Sequence, residues 1–254
     1  MPATQNFLVR IYPVKKPSPS SFTLVELLVV ISIIGLLAGL AIPAIQGGLA
    51  AARKAESANQ LKQLGTLAVA YTAENGGMFP EEGGEGLQAF TQLRNFPNAW
   101  YNVLPPMAGL LSASNYLGQA TGFYQKGSLF FVKAAKYPAN KTSRAYFAYG
   151  MNSQLQDSAS AAKTILNLNR ILKPSRTALF GEARLPDETR LLPTGGKSDS
   201  LGQPKVRDSR FVCRHNGYGF VVFCDGHTEA VHHTKVTNTE TVIWEQVDPT
   251  VAGN

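Results

Sequence analysis

Apolar residues dominate positions 22–43 and form the longest uniform stretch of the chain, with one charged residue, Glu26, near its start. A helix of about 20 apolar residues matches the hydrocarbon thickness of a bilayer, so the pattern predicts a membrane-spanning helix over residues 22–45. Charges close to a membrane span are costly and are usually paired and functional. Glu26 is therefore a candidate functional residue that needs a partner.

The pattern changes to an amphipathic helical period over residues 46–75. Apolar residues recur there at steps of three and four, and polar residues take the other faces. The recurring positions are Leu61, Leu64, Ala68 and Tyr71. Pro43 and the glycine pair at 47–48 are expected to kink or loosen the helix, and the Asn-Gly-Gly sequence at 75–77 is expected to end it. We expect the apolar stripe to pack on the protein's own head.

Residues 76–254 carry strand signals and are predicted to form that head. The strongest signal is Asp225-Gly226 between two β-prone runs, which predicts a hairpin over residues 219–232 because the tight turn needs positive φ. Further predicted elements are a short helix at 86–94 and strands at 128–132, 144–149 and 177–182. The predicted fold class is α+β: a long N-terminal α-helix, membrane-spanning in its first half, packed on a C-terminal antiparallel-sheet head.

Composition narrows the class of protein further. Charged residues make up 16% of the 254 residues, and 23 glycines and 15 prolines suit a loop-rich head with strands rather than a helical bundle. The net charge is +7, but three basic residues and no acids lie in residues 1–21, so the rest of the chain carries +4. The remaining basic residues are scattered rather than gathered in one stripe, which argues against nucleic-acid binding.

The basic leader and the apolar run meet in a short signal. Residues 21–31 read SFTLVELLVVI, which resembles the processing and methylation signal of type IV pilins and of type II secretion pseudopilins. The resemblance implies that residues 1–21 are a prepilin leader, that a prepilin peptidase cuts between Ser21 and Phe22, and that the new Phe22 amine is methylated. Glu26 then becomes the fifth residue of the mature chain. The family usually has glycine before the cut, whereas this chain has Ser21.

Cleavage would also supply the partner that Glu26 needs. The α-amino group exposed at Phe22 has an ordinary pKa of about 8 and is largely cationic at neutral pH. We expect Glu26 of one subunit to meet the Phe22 amine of a neighbour, a pairing better suited to fixing register than to adding stability. The run can also be read as an ordinary secretory signal or as a plain membrane anchor. It is longer than a signal core, and an acid in the first turn is unfavourable for a signal.

A second motif lies near the C-terminus, where residues 214–227 read RHNGYGFVVFCDGH. His215 and Asp225-Gly226 resemble the His-nine-Asp-Gly (DUF1559-like) domain, which occurs with prepilin-type leaders. Three roles remain open for His215, Asp225 and His227: a structural motif, a metal site or an acid/base pair. The structural role is the most economical, with Asp225-Gly226 forming the turn and His215 bonded to the hairpin backbone or to Asp225.

No cofactor is expected, and no metal site is assigned. Calcium is the one ion considered, because secretion pseudopilins can bind it in the head, although no closely spaced acidic loop is present. The acids considered for it are Asp187, Glu188, Asp199, Asp208 and Asp225. Cys213 and Cys224 are expected to be free, partly buried thiols. A disulfide is the alternative, because the head is expected outside the cytoplasm.

The resemblance implies a pilin-like or pseudopilin structural subunit rather than an enzyme. No nucleophile elbow, phosphate loop or Cys-x-x-Cys knuckle is found in the sequence. The implied location is the bacterial inner membrane, crossed once, with the head in the periplasm or on a cell-surface filament. The implied partners are other pilin-like subunits, the prepilin peptidase, an inner-membrane assembly platform, its cytoplasmic ATPase and the lipid bilayer.

An alternative function belongs to another class. In it the protein is a membrane-tethered envelope protein that never polymerises, and its head binds a glycan or another surface ligand. Exposed aromatic side chains would favour this alternative, whereas buried ones would belong to an ordinary core. The residues considered are Trp100, Tyr101, Tyr116 and Tyr124.

Overall fold

A computed structural model of the protein describes residues 23–84, 89–155, 167–188 and 201–244. The chain divides into two compact units, Met1–Gly48 and Leu49–Asn254. A long N-terminal helix is followed by a mostly antiparallel sheet, which confirms the predicted α+β class. The predicted leader, residues 1–21, and Phe22 lie outside the described residues.

The described part of the first unit belongs almost entirely to helix α1, Leu24–Glu74. Pro43 and the glycine pair at 47–48 lie inside α1 and do not interrupt it. The large apolar side chains of this part are exposed: Leu24, Val25, Leu27, Leu28, Val29, Val30, Ile31, Ile33, Ile34, Leu36, Leu37, Leu40, Ile42 and Ile45. Within the described ranges, α1 is the one helix long and apolar enough to cross a bilayer, consistent with a single-pass anchor.

The second half of α1 belongs to the second unit and buries one face. The predicted stripe is observed, with Leu61, Leu64 and Ala68 fully buried in the main core. The helix ends at the Asn-Gly-Gly sequence as predicted. The Gly77 N–H donates to the Thr72 carbonyl at 2.7 Å, and both glycines have positive φ. This is the six-to-one bond of a Schellman C-cap, which satisfies a carbonyl that the last turn leaves open.

The second unit is built on a five-stranded sheet with the order β3-β1-β2-β4-β5. The strands are β1 (Tyr149–Asn152), β2 (Ala178–Glu182), β3 (Lys205–Val206), β4 (Tyr218–Phe223) and β5 (Thr228–His232). Neighbours are antiparallel except β1 and β3, which are parallel. Strands β4 and β5 form the hairpin that the sequence predicts, and Gly226 in its turn has φ +89°.

Two predicted strands were wrong in detail. Residues 128–132 do not form a strand, since residues 128–130 make a bend and a turn, and the strand predicted at 144–149 begins only at Tyr149. Phe130 stacks on Phe123 with 4.5 Å between ring centroids, so side-chain packing buries this apolar segment although it has no ladder partner. The apolar pattern of residues 128–132 therefore indicates burial and not strand geometry.

Short helices lie between α1 and β1. They include α2 (Trp100–Met107) and α3 (Ala120–Phe123). Of the helix predicted at 86–94, residues 86–88 lie outside the described residues, and a 3-10 helix, Phe90–Asn95, covers the end of it. Trp100, Tyr101, Tyr116 and Tyr124 all lie in the main core and are at most 7% exposed. These four side chains therefore do not form the exposed surface that a glycan-binding head would need.

The sheet separates two apolar cores. Phe220, Val222 and Cys224 face the main core together with α1, whereas Val221 and Phe223 face a smaller core. Polar contacts also join α1 to the sheet. The Tyr149 hydroxyl donates to the Gln60 side chain at 3.0 Å, and burial raises the Tyr149 pKa well above its ordinary value.

The two cysteines are free, as the sequence led us to expect. Cys224 lies in the main core and Cys213 in the smaller core, so the sheet stands between the two sulfur atoms. Burial raises the pKa of the Cys213 thiol to about 12, which keeps it protonated and unreactive at neutral pH.

Candidate functional site

The N-terminus of α1 is closed by a reciprocal cap between Thr23 and Glu26. The Thr23 N–H and hydroxyl donate to Oε2 of Glu26 at 2.9 Å and 2.7 Å. The Glu26 N–H donates in turn to the Thr23 hydroxyl oxygen at 3.2 Å. This is a capping box, in which an N-cap threonine and a glutamate three residues later satisfy two donors that a helix start leaves open. The sequence Thr-x-x-Glu, read at the start of an apolar run, is the signal for this cap.

The cap gives the Glu26 carboxylate hydrogen-bond donors, but it does not supply a cation to balance the negative charge. Both donated bonds fall on Oε2, and a carboxylate offers about four acceptor sites in all. The side chain is exposed. A further donor can therefore bind the same carboxylate while the cap stays closed. Phe22, whose amine is the predicted donor, lies outside the described residues.

The C-terminal motif is built around two turns at opposite ends of β4. At one end the Gly226 N–H donates to the Phe223 carbonyl at 2.9 Å. Asp225 Oδ1 accepts from the His227 N–H at 3.1 Å and lies 2.6 Å from His227 Nδ1. Asp225 and Gly226 thus form the predicted turn, and the Asp225 carboxylate is hydrogen-bonded to His227, the first residue after the turn.

His215 lies at the other end of β4. Its backbone exchanges hydrogen bonds with Tyr218 at 2.9 Å and 3.1 Å around Asn216 and Gly217, whose φ angles are 52° and 85°. Positive φ at both central residues is typical of a type I′ hairpin turn, for which Asn-Gly is the favoured pair. His215 thus joins this turn through its own backbone. The Asn-Gly signal was visible in the sequence and was missed.

The partner of the His215 side chain is Glu182, not Asp225. Nε2 of His215 lies 3.3 Å from Oε1 of Glu182, a buried carboxylate on β2. The other carboxylate oxygen of Glu182 accepts from the Phe220 N–H at 3.1 Å. The structure therefore joins His215 and Asp225 to different groups, and the bond between them that was one of the two predicted alternatives is not observed.

Arg214 forms the centre of a buried charged cluster beside His215. Its guanidinium binds Glu188 in bidentate fashion, with Nε 2.8 Å from Oε1 and Nη2 2.7 Å from Oε2. Nη1 also reaches Glu182 at 3.4 Å. The two terminal nitrogens donate to the carbonyls of Ala148 at 3.0 Å and Ala183 at 2.6 Å. One side chain thus ties together segments that lie far apart in sequence.

Glu188 is the main counter-charge in this cluster. Burial by itself opposes ionisation of Glu188, but the Arg214 guanidinium and the hydrogen bonds donated to the carboxylate outweigh it and lower the pKa. The backbone N–H groups of Lys136 and Leu185 donate to it at 3.0 Å and 2.9 Å. Buried charges that are paired and hydrogen-bonded in this way are typical of a structural anchor. No local sequence pattern links the members of the cluster, because Arg214 lies 26 or more positions from its partners along the chain.

The acids considered for calcium are not brought together. Glu188 binds Arg214, Asp208 binds Arg207 at 3.1 Å, and Asp225 binds His227. Asp199 lies outside the described residues. Over the described ranges, no three His, Cys, Asp or Glu side chains form a group that could hold a metal ion. His215, Asp225 and His227 therefore do not form such a group either.

Comparison with known families gives one result. The family model of the prokaryotic N-terminal methylation motif matches residues 19–42. No curated protein and no solved structure matches the chain. The matched residues include the predicted cleavage position, the Thr23–Glu26 cap and most of the exposed apolar helix. The chain therefore carries a prepilin-type methylation motif, which supports a type IV pilin-like protein that is processed by a prepilin peptidase.

Proposed function

We propose that the protein is a pseudopilin or pilin-like structural subunit that assembles into a type II secretion or type IV pilus-like filament. The observation that carries the proposal is the methylation motif on an exposed apolar helix whose start is capped by Glu26. The prepilin peptidase cuts between Ser21 and Phe22 and methylates the new amine. The processed helix then anchors the protein in the inner membrane, with the head in the periplasm or on a filament at the cell surface.

The exposed apolar surface of α1 supports assembly. The side chains from Leu24 to Ile45 need an apolar environment, because exposed apolar patches of this size mark membrane or protein contacts. Lipid supplies that environment first. When the helix leaves the bilayer, it has apolar surroundings only if it packs against the same segment of other subunits. An inner-membrane platform and its cytoplasmic ATPase would drive this transfer, and the partners in the filament are other pilin-like subunits.

Glu26 supports a defined register in that assembly. Its carboxylate accepts the Thr23 bonds on one oxygen and retains acceptor capacity for the Phe22 amine of a neighbouring subunit. A charged pair in apolar surroundings is best attested as a device that fixes registry. The cap holds the carboxylate at the helix start, where the incoming amine must reach it.

Mass spectrometry of the mature N-terminus tests processing. We expect the chain isolated from cells to begin with N-methylated Phe22. A chain that retains its first 21 residues would contradict both the processing and the assembly steps. Replacement of Ser21 by glycine, the usual residue of the family, is the matched control, because it leaves every described contact unchanged and should not reduce processing.

In-cell cross-linking tests assembly. Cysteines at both Leu28 and Leu37, which lie on opposite faces of the exposed helix, should give ladders of disulfide-linked multimers under oxidation, because each chain can then link to two neighbours. The parent chain, whose own thiols are buried, should stay monomeric. Monomer alone from the Leu28→Cys/Leu37→Cys chain would favour the non-polymerising tethered protein instead.

Variants at the cap separate the charge of Glu26 from its capping role. In the Leu28→Cys/Leu37→Cys background, Glu26→Val should insert into the membrane but give no ladders. Glu26→Gln should also give none, although a glutamine can complete the capping box. Thr23→Val removes the capping hydroxyl and keeps the charge, so ladders should persist. Normal ladders from Glu26→Gln would show that the charge is not needed.

A further inference from the structure

The second unit carries a surface cluster that the proposed function leaves unused. It consists of Lys54, Tyr218, His232 and Lys235, called the cationic patch below. We propose that the cationic patch binds the phosphate headgroups of anionic phospholipids in the membrane that holds α1. This inference rests on the membrane insertion contained in the proposed function, and it concerns the subunit before assembly.

The patch is assembled by the hairpin and by α1. Tyr218 and His232 are cross-strand partners on β4 and β5, and their ring centroids are 4.9 Å apart. The ammonium nitrogen of Lys54 lies 5.3 Å from the centre of the Tyr218 ring. Tyr218, His232 and Lys235 line a groove of about 290 Å³. One cation, Lys235, and two polar aromatic rings therefore line the groove, and a second cation, Lys54, lies over the Tyr218 ring.

The charges in the patch are available to a ligand. Lys54 and Lys235 are exposed, and Tyr218 is 40% exposed. In the described part of the chain, neither lysine forms a salt bridge, although Glu229 also lines the groove. The two lysines favour an anionic ligand, and tyrosine is enriched at membrane–water interfaces. A phosphodiester headgroup meets both requirements.

The chain connection favours a lipid over a soluble phosphate. Lys54 follows Ile45, the last large apolar residue of the predicted span, by nine residues. Even a fully extended backbone of that length covers only about 30 Å. Insertion of α1 therefore keeps the patch close to the headgroups. Tethering through a short linker raises the effective concentration of headgroups at the patch to roughly the millimolar range. Weak individual contacts are then sufficient for binding.

Photo-cross-linking of the full mature chain in nanodiscs tests the proposal. A photoreactive amino acid at Thr237, an exposed position two residues beyond Lys235, reports contact with lipid through adducts detected by mass spectrometry. We expect adducts in nanodiscs that contain phosphatidylglycerol, and a loss of about tenfold or more in Lys54→Gln/Lys235→Gln. That loss follows from an attraction of about fivefold per basic residue at an anionic surface.

The control variant is Lys126→Gln/Lys173→Gln. It removes the same charge from two exposed lysines outside the patch and should leave the adduct yield unchanged. Nanodiscs of pure phosphatidylcholine, or high salt with the parent chain, should lower the yield as the patch variant does. Equal yields from the patch variant and the parent chain would overturn the proposal. Loss of adducts on addition of inorganic phosphate at low, constant ionic strength would assign the site to free phosphate and would overturn the lipid assignment.

A second probe at Leu37 distinguishes failure of the patch from failure of the anchor. Adducts at Leu37 without adducts at Thr237 mean that α1 is inserted while the head does not touch lipid, which contradicts the patch alone. Absence of adducts at both positions contradicts membrane insertion, and the patch proposal fails with it. Circular dichroism of each variant confirms that exposed-lysine replacement leaves the fold unchanged.

Discussion

The two ends of α1 lie in contrasting surroundings. In the first unit the large side chains are exposed, and the Thr23–Glu26 cap joins residues three positions apart. In the second unit the same helix is buried on one face, and the central charged cluster joins Arg214 to groups 26 and 66 positions away. The apolar side chains of the first region need lipid or another subunit as their surroundings, whereas those of the second region pack against the protein's own core. Mutations should therefore affect assembly in the first region and stability in the second.

The largest effect is expected for Arg214→Met. The change removes the cation from between two buried carboxylates, Glu182 and Glu188, and leaves their charge uncompensated. Breaking a buried ion pair in this way costs about 3–5 kcal/mol of unfolding free energy. Urea denaturation of the full chain in detergent, followed by near-ultraviolet circular dichroism of the head, measures the loss. Arg94→Met, at an exposed position, is the matched control, and a similar loss in both variants would refute the anchoring role of Arg214.

A single substitution made in both regions sharpens the comparison. A Cβ atom at Gly65 would lie 2.5 Å from Cγ1 of Val222, whereas a Cβ atom at Gly39 would have no atom within 4 Å. Gly65→Ala should therefore destabilise the head by about 1–3 kcal/mol through overpacking. Gly39→Ala should leave head stability unchanged. The same denaturation measurement compares the two, and equal stabilities would mean that α1 does not pack on β4 as described.

Acid should weaken the head through Glu188. Its pKa is lowered in the folded protein, because the Arg214 charge outweighs the effect of burial. A lowered folded pKa gives stability that is fully present above the unfolded value of about 4.3 and is lost as pH falls through the folded pKa. Denaturation curves between neutral pH and about pH 3 should show this decline, and Glu188→Gln should flatten it while lowering stability at neutral pH. An unchanged pH dependence in the variant would assign the decline to other carboxyl groups.

The smallest effect is expected at the cap. Thr23→Ala removes the capping hydroxyl and should cost about 1 kcal/mol, confined to the first turn of α1. Hydrogen exchange at the first helical amides in detergent should speed up, while the denaturation midpoint of the head should not move. Thr66→Ala, whose hydroxyl donates to the Lys62 carbonyl inside the helix, is a control that leaves the helix start intact. Faster exchange in both variants would show that the change is not specific to the cap.

Several features could be predicted because their causes are local. The apolar run, the helix stop at 75–77 and the hairpin turn at Asp225-Gly226 each depend on residues within a few positions of one another. The Thr23–Glu26 cap and the Asn216-Gly217 turn belong to the same class, and their signals were present in the sequence. The strand predicted at 128–132 was wrong because burial of Phe130 by aromatic packing leaves the same apolar signature as burial in a sheet.

The sequence by itself determined that this protein has a membrane-length helix with a methylation motif, an acid held at the helix start, and a sheet that ends in a hairpin. These properties follow from composition and from contacts a few residues apart, which no tertiary arrangement needs to create. Only the tertiary structure decided that His215 meets Glu182 instead of Asp225, that Arg214 binds Glu188, that the two cysteines lie in separate cores, and that Lys54 meets Tyr218. Each of these joins residues that are distant along the chain, and such contacts form only when packing of the apolar faces brings them together.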